Sequence, residues 1–175
     1  MVGWTPGRTH VHSKVSSVLL AAYEELKRSA PGKVFVYGET GWKSGGLFKP
    51  HKTHQNGLSV DLMVPVLLQG ESVPLPGSML NRYGYGIEFD NEGKFGEYLI
   101  DFEALGELVY QIDRAAKTND LAIARVIFDV ALQHHLWATS RGSYLKQSVG
   151  FSKQAAWVRH DEHIHVDFAA PCDRM

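Results

Sequence analysis

The chain has 175 residues with 44% hydrophobic and 21% charged residues, a balance that suits one domain over residues 1–175 and excludes a disordered or low-complexity protein. Its 18 basic and 19 acidic residues give a net charge of −1, without the basic excess typical of a nucleic-acid binder. No apolar run approaches the ~20 residues that cross a bilayer, so we expect no membrane insertion.

The N-terminal third contains one predicted helix and two predicted strands. Residues 13–29 place apolar side chains at helical spacing, with Ser13 or Ser16 as the cap. The β-branched and aromatic run over residues 33–37 predicts a strand, and residues 58–66 predict another.

The remainder of the chain mixes helix, strand and loop signals. Residues 69–98 are the least regular and include a predicted hairpin around residues 91–93. Four further elements are predicted in chain order: a helix over residues 101–117, a strand over 123–128, a helix over 129–139 and an ordered run over 157–168. Strands and helices do not alternate regularly, so we expect an α+β fold with long loops.

Histidines concentrate in two short windows, of which the first is HKTHQNGLSVDL with His51, His54 and Asp61. A turn-prone Asn-Gly pair precedes a strand whose alternate apolar residues face the core and leave Asp61 on the polar face. His54, just before that turn, is expected to fold back beside Asp61.

The second window is RHDEHIHVDF, with His160, His163 and His165. In a strand His163 and His165 point to one face, while Ile164 and Val166 point into the core. Neighbouring strands carrying the two windows bring two imidazoles and one carboxylate together. Such a set holds a divalent metal and leaves a position for water, so the residues alone predict metal-assisted hydrolysis.

Other chemistries lack their motifs. The sequence contains no HExxH helix and no GxSxG elbow, and Cys172 has no catalytic motif around it. For Glu162 and Asp167 the sequence leaves open an interpretation as solvated charges. The remaining histidines are interpreted as ordinary surface or core residues: His10, His12, His134 and His135.

The longer patterns in the two windows carry a family resemblance. HKTHQNGLSVDL fits HxxHxxGxxxD and HDEHIHV fits HxxHxH, and in both the chain resembles the penicillin-insensitive murein endopeptidases. The shorter pattern, HxxxxxxD at His54 and Asp61 followed by HxH at His163 and His165, resembles the zinc peptidases that group lysostaphin-type enzymes with D-Ala-D-Ala peptidases. The resemblance spans about residues 8–168. It implies a small antiparallel sheet that carries Zn²⁺, with His54, Asp61 and His165 as the metal ligands.

The resemblance also implies an activity and its catalytic residues. The expected reaction is hydrolysis of the peptidoglycan cross-link between D-Ala and a diamino acid by a zinc-activated water. His51, His160 and His163 would surround that water and the scissile amide. We expect His163 to be the base, because it shares a strand face with His165. Glu162 is the alternative base if a bulge turns it toward the metal.

Two other functions remain open from the sequence. A D-Ala-D-Ala dipeptidase or carboxypeptidase needs a cation for a free carboxylate, for which Arg82, Arg141 and Arg159 are the candidates. A non-catalytic metal-binding cell-wall module has no need of the additional histidines, and structural zinc usually has four protein ligands.

The segment over residues 69–98 contains candidates for stacking on substrate: Tyr83, Tyr85 and Phe89. We expect peptidoglycan peptide as the partner, with no protein partner indicated. The first twelve residues lack signal-peptide features and the single cysteine, Cys172, excludes an internal disulfide. We therefore expect a periplasmic or cell-wall protein whose signal has been removed, or a phage-type lytic enzyme that is cytoplasmic until released.

Overall fold

A computed structural model of the chain describes residues 7–49, 51, 53–76, 86–156 and 158–171. Within these residues the fold is α+β, as predicted, with two small antiparallel sheets and four helices. In chain order the elements are α1 (Ser13–Ser29), β1 (Ser59–Met63), β2 (Val66–Leu68), β3 (Glu71–Val73), β4 (Lys94–Phe95), β5 (Tyr98–Ile100), α2 (Phe102–Thr118), β6 (Ala122–Ile127), α3 (Gln133–Trp137), α4 (Gly142–Ser148) and β7 (His163–Ala169). None of the described helices is long and apolar enough to span a membrane.

The three-stranded sheet, in the order β1-β7-β6, joins the two histidine windows. Asp61 of β1 lies opposite His165 of β7 in the antiparallel register. Alternate residues of both strands turn into the core, where Val60, Leu62, Ile164 and Val166 are fully buried. The other face of the same two strands therefore presents Asp61, His163 and His165.

The second sheet, in the order β3-β2-β5-β4, lies between the histidine windows in sequence. Helices α1 and α2 pack against each other. The buried residues of α1 follow the predicted helical spacing: Val15, Val18, Leu19, Ala22 and Leu26. The predicted serine caps are wrong, because His12 is the N-cap and its Nδ1 accepts a hydrogen bond from the Lys14 amide at 3.2 Å.

Two predicted strands are shorter than expected. The strand predicted over residues 58–66 ends at Met63, and Val66 already belongs to β2 in the other sheet. Pro65, between them, has no amide hydrogen to donate to a ladder. Residues 33–37 form no strand beyond one bridge between Tyr37 and Leu62. The Met63 amide donates to the carbonyl of Val36, and the Asp61 amide donates to that of Glu39. Two residues of β1 therefore correspond to three residues of the facing segment, so no regular ladder forms.

The hairpin predicted around residues 91–93 is displaced. Strands β4 and β5 turn at residues 96–97 instead. Residues 90–94 form a loop closed by Asp90, whose Oδ1 accepts hydrogen bonds from the amides of Glu92 and Lys94. The hairpin of β2 and β3 was not predicted; its turn residues, Gln69 and Gly70, both have positive φ.

The helix predicted over residues 129–139 is reduced to α3, Gln133–Trp137, and α4 follows it unpredicted. Asp129 prevents an earlier start because its Oδ1 accepts a hydrogen bond from the Ala131 amide, 2.8 Å away. Such local side-chain bonds compete with the helical pattern and favour a turn.

Asp101 connects the second sheet to α2 and generates a stability prediction. Its Oδ1 accepts from the Ala104 amide at 3.0 Å as the helix N-cap, and its Oδ2 accepts from Lys33 Nζ at 2.7 Å. We expect Asp101→Ala to lower the free energy of unfolding by about 1–2 kcal/mol, because both interactions are lost. Urea denaturation followed by circular dichroism measures it. Lys33→Ala removes only the ion pair and is the control; equal losses in both variants would contradict the capping contribution.

Candidate metal centre

The structure brings together three side chains of the predicted ligand set. His165 Nδ1 lies 2.7 Å from Asp61 Oδ1, and His54 Nε2 lies 3.3 Å from the same oxygen. His54 Nε2 and His165 Nδ1 are 3.1 Å apart. The exposed fractions are 0% for His54, 5% for Asp61 and 4% for His165. Two imidazole nitrogens and one carboxylate oxygen thus point at one another in a buried site.

This triangle fits a single metal ion. Zinc bonds of about 2.0–2.1 Å in a tetrahedral arrangement place ligand atoms roughly 3.3 Å apart, close to the His54 distances. The shorter separation of Asp61 and His165 is that of a hydrogen bond, so here a proton occupies part of the space between the ligand atoms.

His51 belongs to the same cluster. His51, His54 and Asp61 each offer a ligand atom within 4.8 Å of the other two, a group able to hold a metal ion. His51 Nε2 also lies 3.6 Å from Glu39 Oε2, and the rings of His51 and His54 are 5.0 Å apart. Sequence reasoning missed Glu39, which lies outside both histidine windows.

Two glycines allow the chain to pack closely behind the cluster. A Cβ on Gly38 would lie 2.7 Å from the carbonyl oxygen of Asp61, and one on Gly41 would lie 2.7 Å from that of His54. Both carbonyls are backbone atoms of cluster residues, so a side chain at either glycine would displace a ligand. His54 itself has a φ of 64°, a left-handed conformation that turns its side chain back toward β1.

Asp167 holds the ring of His165 from the side opposite the cluster. Asp167 Oδ1 lies 2.8 Å from His165 Nε2, and Ser59 Oγ donates to the same oxygen at 2.7 Å. A carboxylate on the outer nitrogen fixes the tautomer and leaves Nδ1 directed at Asp61 and His54. The interpretation of Asp167 as a solvated charge is therefore wrong, and the signal was available, because residues two apart in a strand share a face.

Glu162 is likewise no solvated charge. It is buried and precedes β7, and its Oε1 lies 3.0 Å from His163 Nδ1. This contact leaves Nε2 of His163 directed at the cluster, 4.0 Å from Asp61 Oδ1. His160 lies alongside, with its ring 4.6 Å from that of His163 and its Nδ1 2.7 Å from the Val158 carbonyl oxygen.

The cluster shifts the pKa values of its members strongly. Burial alone raises the pKa of Asp61, but the charge of His163 and the hydrogen bonds from His165 and His54 hold it well below its usual range. Burial lowers the pKa of His165, yet the hydrogen bonds to Asp167 and Asp61 outweigh this and raise it to about 9. In the metal-free protein, protons on imidazoles therefore balance the buried carboxylates.

A cleft of about 320 Å³ opens onto the cluster. Its lining contains His51, Thr53, Arg125, Ile127, Ser152, Gln154, Ala155, Ala156, Val158, His160, His163 and His165. The catalytic residues expected from the sequence therefore all face this space, while His54 and Asp61 lie behind them.

Several other predicted substrate contacts lie elsewhere. Phe89 is 1% exposed and part of the core, so its expected stacking on substrate is wrong. Arg141 pairs with Glu107 at 2.6 Å, Arg159 pairs with Asp129 at 2.7 Å, and neither lines the cleft. The predictions for Tyr83, Tyr85, Arg82 and Cys172 lie outside the described residues.

Comparison with known proteins gives no assignment: no protein-family model matches the chain, and no curated protein matches it significantly. The function therefore has to follow from the geometry and chemistry of the site.

The raised pKa of His165 predicts how metal affinity depends on pH. Below pH about 9 both ring nitrogens of His165 are protonated in the metal-free protein. A nitrogen that binds a metal has to lose its proton first. We expect zinc affinity to rise about tenfold per pH unit between pH 7 and 8.5, with at least one proton released on binding. Competition with a chelator measures the affinity, and calorimetry in two buffers counts the protons. An affinity that does not change over this range would contradict the prediction.

Proposed function

We propose that the protein is a zinc metallopeptidase that hydrolyses the peptide cross-links of peptidoglycan. The observation that supports it most is the triangle of His54, Asp61 and His165 at the base of a cleft lined by three further histidines. A buried site with three ligands and an open side is typical of catalytic zinc, whereas structural zinc is closed by four protein ligands. The two histidine patterns add the substrate class through their resemblance to murein endopeptidases.

We propose His165 rather than His51 as the third ligand beside His54 and Asp61. His165 Nδ1 lies within 3.1 Å of ligand atoms of both, and Asp167 holds its outer nitrogen in the manner usual for metal-bound imidazoles. His51 Nε2 instead lies nearest to Glu39 among its charged neighbours. His51 is then left to contact the substrate.

The bound Zn²⁺ would supply a Lewis acid that polarises the amide carbonyl and lowers the pKa of a bound water to about 7. His163 acts as the base, because its Nε2 faces the cluster while Glu162 holds Nδ1. Glu162 is a positioning residue in this scheme. His163 accepts the proton of the attacking water at Nε2 and passes it to the leaving amine.

The two remaining histidines of the cleft have different environments. Burial and the neighbouring charge of His163 lower the pKa of His160, and its Nδ1 donates to the Val158 carbonyl. His160 is thus a neutral imidazole with Nε2 available to accept from an N–H of the substrate or leaving amine. His51, which belongs to the cluster and lines the cleft, would stabilise charge that develops on the carbonyl oxygen.

The direct test uses purified cross-linked peptidoglycan. The protein is incubated with it in three states: loaded with stoichiometric zinc, treated with chelator, and reloaded with zinc. The released muropeptides are identified by mass spectrometry. We expect cross-linked dimers to become monomers, with the activity lost to chelator and recovered with zinc. Release of terminal D-Ala from intact dimers would favour a carboxypeptidase. Bound zinc without any cleavage would leave a metal-binding cell-wall module.

Single substitutions separate the ligands from the base. We expect His54→Ala, Asp61→Ala and His165→Ala each to abolish stoichiometric zinc binding, because each removes a ligand. His163→Ala should keep the zinc and lower kcat/KM by about 10²–10⁴-fold, the usual contribution of a general base. Zinc content by atomic absorption and muropeptide kinetics are the two measurements.

His134→Ala is the matched control for these variants, because His134 is exposed and outside the cluster. Loss of zinc from His51→Ala with retention in His165→Ala would reverse the choice of third ligand. A fully active His163→Ala protein would remove the assigned base.

A further inference from the structure

Among the described residues that line the cleft, Arg125 is the one lysine or arginine, and none is an aspartate or glutamate. Its side chain is 48% exposed. Sequence reasoning did not select it, because β6, which carries it, contains neither a histidine nor a motif. Within this described lining, the formal charge other than that of imidazoles therefore comes from this guanidinium.

We propose that Arg125 binds a carboxylate of the substrate, one carried by the carbon attached to the scissile amide nitrogen. The proposal rests on the proposed peptidase function and specifies its substrate class. The peptide on the leaving side of the cut would be a diamino acid or D-amino acid whose carboxylate is adjacent to the acylated nitrogen. A cross-link through a side-chain amine without such a carboxylate would be a poor substrate.

The guanidinium is held in position before any substrate arrives. Arg125 Nη2 and Nε both donate to Asp167 Oδ2, at 2.6 and 3.2 Å. A guanidinium has five donors in a planar fork, so three remain for a ligand after these two contacts. Because Asp167 fixes the plane, less side-chain entropy is lost when a carboxylate binds.

The distance to the metal ligands also fits. Arg125 contacts Asp167, and Asp167 contacts Nε2 of His165 at 2.8 Å. Two hydrogen bonds and two rigid groups place the guanidinium within about 10 Å of the metal-facing Nδ1 of His165. A carboxylate one carbon away from the scissile nitrogen, bound at hydrogen-bond distance to Arg125, falls inside that span.

The small and apolar residues of the lining strengthen the attraction. Ile127, Ala155, Ala156 and Val158 offer no competing charge and no polar side chain that would bind the carboxylate. A charge-assisted hydrogen bond in such surroundings contributes more than one in open solvent. A carboxamide in place of the carboxylate loses the charge and keeps one accepting oxygen, while its NH2 group would face a donor of Arg125 in the second arm of a bidentate contact.

The experiment compares two substrates on the same protein preparation. One is an acyl-D-Ala-diaminopimelate peptide with the free carboxylate next to the scissile nitrogen; the other has that carboxylate as the carboxamide. We expect the zinc-loaded protein to favour the acid by about 30–100-fold in kcat/KM, the range of a charge-assisted bidentate contact. Arg125→Gln should reduce the ratio to about 1–3, and Arg125→Lys should leave it in between. Arg114→Gln, an exposed arginine of α2, is the control and should keep the wild-type ratio.

The acid-to-amide ratio is insensitive to a change in zinc occupancy, because both substrates meet the same preparation. This matters because Arg125 also contacts Asp167, the partner of His165. An equal rate on acid and amide, or a ratio retained in Arg125→Gln, would overturn the proposal while leaving the peptidase function intact.

A second measurement keeps the two proposals distinguishable if no hydrolysis occurs. Binding of the same acid and amide peptides to the metal-free protein is followed by nuclear magnetic resonance titration. Acid binding that is at least tenfold tighter than amide binding, and lost in Arg125→Gln, supports the carboxylate site even when the peptidase function fails. Equal binding of the two peptides, together with no hydrolysis by the zinc-loaded protein, would reject both the carboxylate site and the peptidase function.

Discussion

The antiparallel pairing of β1 with β7 is the constraint on which the site depends. Its register sets Asp61 opposite His165 and turns their neighbours Val60 and Val166 into the core. A slip of one residue would reverse both faces, burying imidazole in the core and exposing valine. The hydrophobic core therefore specifies the candidate metal site: the free energy that buries one face of the two strands also aligns Asp61 and His165 on the other.

Burying the charge of Asp61 costs free energy, and in the metal-free protein protonated imidazoles offset that cost. Desolvation opposes the charge of Asp61, and hydrogen bonds from His54 and His165 together with the charge of His163 overcome it. A divalent ion in the same place would replace those protons and neutralise Asp61. That exchange also removes part of the field that raises the pKa of His163, so metal loading favours the neutral imidazole that a base requires.

The sequence predicted the parts of the site that follow from strand alternation alone. Spacing placed Asp61 and the two histidines of β7 on one face, and their convergence with His54 agrees with it. The partners were missed. Asp167 was available from the shared strand face with His165, whereas Glu39 and Arg125 lie outside the motifs and act through tertiary contacts. Predicted element boundaries were wrong in two kinds of place. At Asp129 a local side-chain hydrogen bond overrides helix propensity. At residues 64–66 the chain passes from one sheet to the other at a proline.

The arrangement around His165 is what the proposed catalytic role would require. Asp167 uses one oxygen to orient the ring of His165 and the other to orient Arg125, so one carboxylate connects this histidine to the cationic group of the cleft. A purely structural ion needs only the first of these contacts. On the opposite side, Glu162 directs His163 at the cluster although no ligand position requires it. Buried carboxylates that orient a half-exposed cation and an additional imidazole stabilise a metal ion little. In the proposed peptidase these contacts would hold the substrate and move a proton.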